Sequence, residues 1–127
     1  MSLAQPEIEY VDRATESIRY LEHGWPTELC RWHSHKEYEL HLITHTRGKA
    51  FVGDYIGEFS PGSLFLTGPY LPHNWVTDER VNPEPVANRD MLVQFSEESI
   101  SDLTLGFPEF REMAPMWELA KSGIEFI

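Results

Sequence analysis

Short runs of alternating apolar and polar residues, rich in β-branched and aromatic side chains, fill the first three quarters of the chain. Such runs are typical of β-strands, because successive side chains of a strand point to opposite faces of the sheet. The predicted strands are 17–23, 27–35, 37–45, 49–59, 63–67, 74–77 and 90–96. Segments rich in glycine and proline, which favour turns, lie between them. Many short strands with no helical pattern between them predict an all-β fold, an antiparallel sandwich or barrel.

The spacing of apolar residues changes after Ser96. Within 107–121 the apolar side chains recur every three or four residues, which is the spacing of a helix. The residues that carry this pattern are Phe110, Met113, Met116, Trp117 and Ala120. Pro115 is expected to kink or split the predicted helix, and Gly123 is expected to end it. The closing residues 124–127, IEFI, are mostly apolar, and they either cover a core or continue into a longer chain.

Composition limits the function classes. The 127 residues suit one domain, and 41% of them are hydrophobic, which is enough apolar material to fold. The formal net charge is −11, so we expect neither direct nucleic-acid contact nor binding to an anionic membrane. The single cysteine, Cys30, excludes an internal disulfide and fits a reducing compartment. No apolar run approaches the ~20 residues of a membrane span, and the chain is expected to be cytoplasmic.

The candidate chemistry lies in residues 31–45, RWHSHKEYELHLITH. Taking every second residue as one face of a strand gives the polar set His33, His35, Glu37, Glu39 and His41. His73 follows in a second, turn-rich motif at 62–75. Imidazoles from two strands and one carboxylate that converge inside a small β-fold suit Zn²⁺, Ni²⁺, Fe²⁺ or Mn²⁺. Because such histidine pairs also occur in strands by chance, the alternative is a polar interior whose histidines bond to one another, to water or to an organic ligand.

Two motifs of this chain resemble those of the cupin family. The first is the HSH sequence at 33–35 followed by Glu39, and the second is Gly62, the turn at 68–72 and His73. The resemblance implies a cupin-type antiparallel β-barrel, also described as a double-stranded β-helix or jelly roll, with C-terminal helices. It also implies a metal site whose ligands are His33, His35, Glu39 and His73.

Three positions depart from the family pattern. Thr46 and Tyr70 stand where glycine is usual, and Thr77 stands in place of an asparagine. These positions belong to turns rather than to the ligand set. The departures therefore indicate a divergent branch of the family with the same fold.

Residues 25–126 are similar to the N-terminal, effector-sensing half of AraC-family transcription regulators. The similarity is carried by HSHKEYELHLI, by the run from RGKAFVGDYIG to LPHNW, and by the tail WELAKSGIEF. It implies an N-terminal segment with a first strand in 1–24, a cupin barrel in 25–96, and a helical segment in 97–127 that leads to a DNA-binding half absent from this chain. It also implies a homodimer and a small-molecule effector, such as a sugar or another hydroxylated or carboxylated metabolite. Residues 1–3 have the character of a vector leader.

The predicted effector pocket consists of Arg31, His41, Tyr70 and Trp75. His41 and Trp75 share the strand face of the ligands, and Arg31 either pairs with an anionic or hydroxylated effector or lies solvated at the barrel edge. One alternative to a sensor is a stand-alone metal-dependent cupin enzyme, a dioxygenase or isomerase, with Glu37, His41 or Tyr70 as its acid or base. A further alternative is a stand-alone cupin that stores or buffers a metabolite.

Overall fold

The computed structural model describes residues 5–10, 17–27 and 31–127. The predictions made for residues 1–3 and for Cys30 lie outside these ranges. Within them the strands are β1 (Glu7–Glu9), β2 (Ile18–Trp25), β3 (His33–His35), β4 (Tyr38–Ile43), β5 (Gly48–Val52), β6 (Tyr55–Phe59), β7 (Leu64–Thr67), β8 (His73–Thr77), β9 (Val86–Phe95) and β10 (Ile124–Phe126). The helices are α1 (Glu97–Gly106), a 3₁₀ helix (Pro108–Met113) and α2 (Ala114–Ala120).

The strands form two five-stranded sheets. The first sheet has the order β1-β3-β8-β5-β6, and the second has the order β10-β7-β4-β9-β2. All neighbouring strands run antiparallel except the parallel pair β1 and β3. The fold is therefore mostly β, as the strand pattern predicts. The sheets do not close into a barrel within the described ranges, because the outer strands of each sheet hydrogen-bond on one side only, and the cupin-type jelly roll stays a prediction.

An apolar core joins the inner faces of the two sheets. Its buried members are Ala50, Val52, Phe59 and Trp75 from the first sheet, with Ile43 and Phe65 from the second. In β4 the inward positions alternate, so Glu39 and His41 lie on the same buried face as Ile43. The interior between the sheets is therefore part apolar and part polar.

The C-terminal helices cover the outer face of the second sheet. Tyr38 stacks on Phe95 with the ring centroids 5.7 Å apart, and the edge of Trp117 meets Tyr38 at 5.2 Å. Ser96 caps the N-terminus of α1, because its Oγ accepts a hydrogen bond from the Ser99 amide at 3.0 Å. Pro115 lies in the first turn of α2 and separates it from the 3₁₀ helix, as predicted for a split. None of the helices described is long and apolar enough to cross a membrane.

Two grooves lie on the outer surface of the described residues. The larger, of about 970 Å³, follows the first sheet and is lined by charged side chains that include Arg47, Lys49, Asp78 and Arg80. The second, of about 570 Å³, lies between the second sheet and the C-terminal helices, and its lining is mostly apolar and includes Phe95, Leu103, Phe107, Met113 and Trp117. Neither groove is lined by a histidine.

Candidate metal centre

Three histidines from the first sheet lie side by side in the polar part of the interior. β3 carries His33 and His35 two residues apart, so both side chains project from the same face. β8 pairs with β3 and places His73 directly opposite His33. One nitrogen of each ring lies within 4.8 Å of the other two. We call these three residues the histidine cluster, and they could bind one metal ion.

Main-chain carbonyl groups determine the tautomer of each ring in the histidine cluster. In every case Nδ1 is hydrogen-bonded to a carbonyl oxygen two residues away in the sequence. The N···O distances are 2.6 Å for His33 with Arg31, 3.1 Å for His35 with Glu37 and 2.7 Å for His73 with Leu71. Because a carbonyl oxygen only accepts, Nδ1 carries the proton in all three rings, and Nε2 is the nitrogen that can bind a metal. Histidines that bind metals are commonly oriented in this way.

Glu39 brings a carboxylate from the second sheet to the histidine cluster. Its Oε1 lies 3.0 Å from His35 Nε2, and its Oε2 lies 3.6 Å from His73 Nε2. His41 Nδ1 donates to Oε2 at 2.8 Å, and Gln94 Nε2 donates to Oε1 at 3.1 Å. Burial raises the pKa of this carboxyl, but the imidazoles of His73, His35 and His41 outweigh burial and hold the pKa well below its ordinary value of 4.5. Glu39 is therefore ionised and can only accept hydrogen bonds.

The Nε2 atoms of His35 and His73 and the oxygens of Glu39 meet as hydrogen-bond acceptors, with too few protons between them. His35 donates its Nδ1 proton to a carbonyl, yet its Nε2 faces the Glu39 carboxylate. His73 Nε2 is buried and has no hydrogen-bond partner among the described residues. Burial lowers the pKa of His73 to about 3, so this ring is neutral near pH 7.

A shared cation would satisfy these atoms, and their spacing suits one. The distances of 3.0 Å and 3.6 Å from the Glu39 oxygens to the two Nε2 atoms resemble those between neighbouring ligands of one ion. Metal–ligand bonds of about 2.1 Å place neighbouring ligand atoms about 3.0–3.5 Å apart. The Glu39 oxygens and the Nε2 atoms of His35 and His73 are therefore spaced as ligands of one divalent transition metal would be.

A series of buried charges leads away from Glu39. His41 lies between two carboxylates, because its Nε2 is 3.0 Å from Asp90 Oδ2 while its Nδ1 faces Glu39. The ring also stacks on Trp75, with centroids 3.9 Å apart and planes inclined by 16°. Burial lowers the pKa of His41, but the neighbouring carboxylates of Asp90 and Glu39 raise it by more, so the pKa lies above its ordinary value of 6.5. The two carboxylates thus favour the protonated, cationic ring.

Arg89 ends this series. Its Nε and Nη2 donate to Asp90 Oδ2 at 3.1 Å and 2.8 Å, and its Nη1 donates to the Trp75 carbonyl oxygen at 2.7 Å. Burial raises the pKa of Asp90, but His41 and Arg89 lower it by more, so this pKa lies below its ordinary value. We call Glu39, His41, Asp90 and Arg89 the buried charge chain. Its signs alternate, which is the condition under which ionised groups are tolerated in a protein interior.

Among the polar residues of this interior that were not singled out from the sequence are Arg89, Asp90 and Gln94. A signal existed for two of them, because Asp90 and Gln94 alternate with buried Leu92 along β9 and so share its inward face. Arg89 gives no such signal, because its position in the alternation is that of the outer face.

The structure places the four residues of the predicted effector pocket in different environments. His41 and Trp75 are stacked and buried between the sheets, at 3% and 2% exposure. Arg31 pairs through its Nε with Glu7 of β1, and the Tyr70 side chain is 54% exposed. None of the four lines either outer groove. The effector pocket stays a prediction.

Comparison with known proteins assigns no family. No protein-family model matches the chain, and no curated protein matches it. The features of this chain that indicate a function are therefore the histidine cluster, the buried charge chain and the sequence motifs.

Proposed function

We propose that the chain is a small-molecule-sensing module of the cupin type, in which His33, His35, Glu39 and His73 hold a divalent transition metal that takes part in effector binding. The observation that carries this proposal is the common orientation of the three rings, each with its Nδ1 bonded to a carbonyl oxygen. Three imidazole nitrogens and one carboxylate oxygen suit Zn²⁺, Ni²⁺, Fe²⁺ or Mn²⁺. Two mostly antiparallel sheets that enclose the site are compatible with the jelly roll of this family.

When bound, the metal supplies a positive anchor for a carboxylate or hydroxyl group of the effector. In the type of regulator that the sequence resembles, effector binding would move the C-terminal helices and bias a DNA-binding half. Such a shift requires that the effector bind one state of the module more tightly than the other. Strand β4 connects the site to the C-terminal helices directly, because Glu39 faces the site and the adjacent Tyr38 contacts Trp117 of α2.

A metal-dependent cupin enzyme, a dioxygenase or isomerase, is the alternative. It requires an acid or base beside the metal, and the three candidates for that role are poorly placed. His41 has both ring nitrogens against carboxylates, and the Tyr70 side chain is largely exposed. Glu37 approaches His35 from the Nδ1 side, with its Oε1 4.0 Å away, whereas the metal would bind Nε2. These placements favour binding over catalysis.

Metal occupancy is tested first, on untagged protein that has been stripped with a chelator and dialysed against each of the four ions. Elemental analysis should find about one equivalent per chain for the wild type and less than about a tenth for His73→Ala. His45→Ala, which alters an exposed histidine outside the cluster, is the matched control and should bind as the wild type does. Wild-type protein that retains under about a tenth of an equivalent of every ion contradicts the metal site.

Sensing is tested by thermal unfolding with sugars and carboxylated metabolites. An effector should raise the melting temperature of the metal-loaded wild type and leave that of His73→Ala unchanged. Conversion of one of these compounds by the metal-loaded protein, in the absence of any such shift, would favour the enzyme.

A further inference from the structure

Two residues that are not metal ligands are placed so that they hold one of the ligands in position. We propose that His41 and Asp90 are positioning residues for the metal centre, with Asp90 fixing the His41 ring and the ring fixing the Glu39 carboxylate that faces the histidine cluster. The inference rests on the metal site proposed above and adds to it two residues that do not touch the ion.

His41 is held on three sides. Its Nδ1 donates to Glu39 Oε2 at 2.8 Å, and its Nε2 lies 3.0 Å from Asp90 Oδ2. One face of the ring stacks on Trp75, and the residue is 3% exposed. Rotation of the ring would break all of these contacts at once. The direction in which the Nδ1 donor meets Glu39 is therefore fixed.

Strand pairing brings Asp90 to the ring. In the antiparallel pair of β4 and β9, His41 lies opposite Leu92 and Ile43 lies opposite Asp90. Asp90 is thus the diagonal neighbour of His41 on the inner face, within reach of a side-chain contact. Arg89 donates two hydrogen bonds to Asp90 Oδ2, which keeps this carboxylate from turning away. The backbone register and Arg89 together set the position of Asp90.

Glu39 depends on these partners because its two oxygens have different neighbours. Oε1 faces His35 and Gln94, while Oε2 faces His41 and lies 3.6 Å from His73. Without the His41 donor, Oε2 can swing away from His73 while Oε1 stays bonded. The carboxylate would then present the wrong geometry to an ion shared with the histidine cluster. Outer partners of this kind typically change metal affinity about 10- to 100-fold.

The test compares metal affinity with the stability of the apo-protein. Asp90→Asn keeps the shape of the side chain and removes its charge, His41→Gln removes the donor at the Nδ1 position, and His41→Asn retains a donor near that position. Zinc affinity is measured by competition with a chelating dye, and the ligand geometry by the visible spectrum of the cobalt-loaded protein. Ser96→Ala is the matched control, because it removes a buried helix cap just after β9 and does not touch the buried charge chain.

Asp90→Asn and His41→Gln should weaken zinc binding about 10- to 100-fold and shift the cobalt spectrum. His41→Asn should recover part of the affinity, and Ser96→Ala should lower the melting temperature with the affinity unchanged. If Asp90→Asn does not fold, the two His41 variants decide the outcome. Wild-type affinity and spectra in the variants overturn the positioning role and leave the metal site standing. A wild-type protein that binds no ion overturns the proposed metal site and the positioning role together.

Discussion

Replacing Arg89 by methionine should strongly destabilise the apo-protein, because it removes a partner of a buried carboxylate. Arg89 is 2% exposed, and it donates twice to Asp90 and once, at 2.7 Å, to the Trp75 carbonyl oxygen. Methionine occupies much of the same volume but donates nothing. In Arg89→Met, Asp90 would keep its contact with His41, and the Trp75 carbonyl would lose its bond to the guanidinium.

The size of the effect follows from what Asp90 retains. Breaking a buried ion pair by removing one partner costs about 3–5 kcal/mol. Because His41 Nε2 remains 3.0 Å from Asp90, we expect the lower end of that range, about 3 kcal/mol. For a domain of this length each kcal/mol lowers the melting temperature by about 4 °C, so the expected shift is about 12 °C.

Urea unfolding at neutral pH with a chelator present measures this loss without any contribution from a metal. Arg80→Met is the matched control, because Arg80 also donates twice to an aspartate, Asp78, but at an exposed site where solvent screens the pair. The double variant Arg89→Met/Asp90→Leu should be more stable than Arg89→Met, since it leaves no buried carboxylate without its guanidinium partner. A loss under about 1 kcal/mol for Arg89→Met, or a double variant less stable than the single one, would refute the assigned role of the pair.

Three further outcomes can be checked by equilibrium unfolding. Gly48→Ala should lower the unfolding free energy by about 3 kcal/mol or more, because an added Cβ would lie 1.9 Å from the Val76 carbonyl oxygen. Gly106→Ala is the matched control: an added Cβ there meets no atom within 4 Å, and the unfolding free energy should rise by about 0.5–1 kcal/mol. The pKa of Asp90 in the folded protein lies below 3.8, so the ionised carboxylate stabilises the fold above that pH, and this stabilisation is lost as the pH falls through the lowered pKa. From about pH 5 to about pH 2, the unfolding free energy of Asp90→Asn should therefore fall less steeply than that of the wild type. Zinc at about 100 times its Kd should raise the unfolding free energy of the wild type by about 2.7 kcal/mol and leave that of His73→Ala unchanged.

Local sequence pattern predicts the strands of this fold better than it predicts the sheets. Alternation over 37–45 indicates β4 and the inward direction of its polar residues, and both are present. The same alternation does not reveal that β3 and β4, which follow each other in the chain, belong to different sheets. Sheet membership depends on partners far along the sequence, which are β8 for β3 and β7 and β9 for β4.

The C-terminal region shows the same limit for helices. The apolar spacing over 107–121 predicts helical structure, and the proline at 115 predicts an interruption. The structure has a 3₁₀ helix at Pro108–Met113 and then α2. Proline has no N–H to donate, so it is tolerated in the first turn of a helix, where that N–H would have no acceptor, and it disrupts a helix interior. The apolar character of residues 124–127 does not predict a strand, because the pairing of β10 with β7 depends on a strand about sixty residues earlier.

The histidine cluster could be predicted from the sequence, whereas the buried charge chain could not. Residue spacing and the cupin resemblance select the histidines, and the register of β3 with β8 brings them together. The contact of His41 with Asp90 arises only from the pairing of β4 with β9, which joins positions about fifty residues apart. An aspartate in an apolar strand is a visible signal, but its partner cannot be read from neighbouring residues.

The departures from the cupin pattern have a structural relation to one another. Thr46 and Tyr70, which stand where glycine is usual, have φ of 76° and 57°, in the region that costs other residues about 1–2 kcal/mol. Thr46 Oγ1 bonds to Thr77 Oγ1 at 2.9 Å, and Arg89 Nη1 donates to the same Thr77 oxygen at 3.3 Å. A hydroxyl bond contributes about 1 kcal/mol, which offsets much of the backbone cost at Thr46. The hydrogen bond between Thr46 and Thr77 therefore compensates for the backbone strain at Thr46, and it extends the hydrogen bonds of the buried charge chain beyond Arg89. A change from Thr46 to glycine would relieve the strain but would lose this bond.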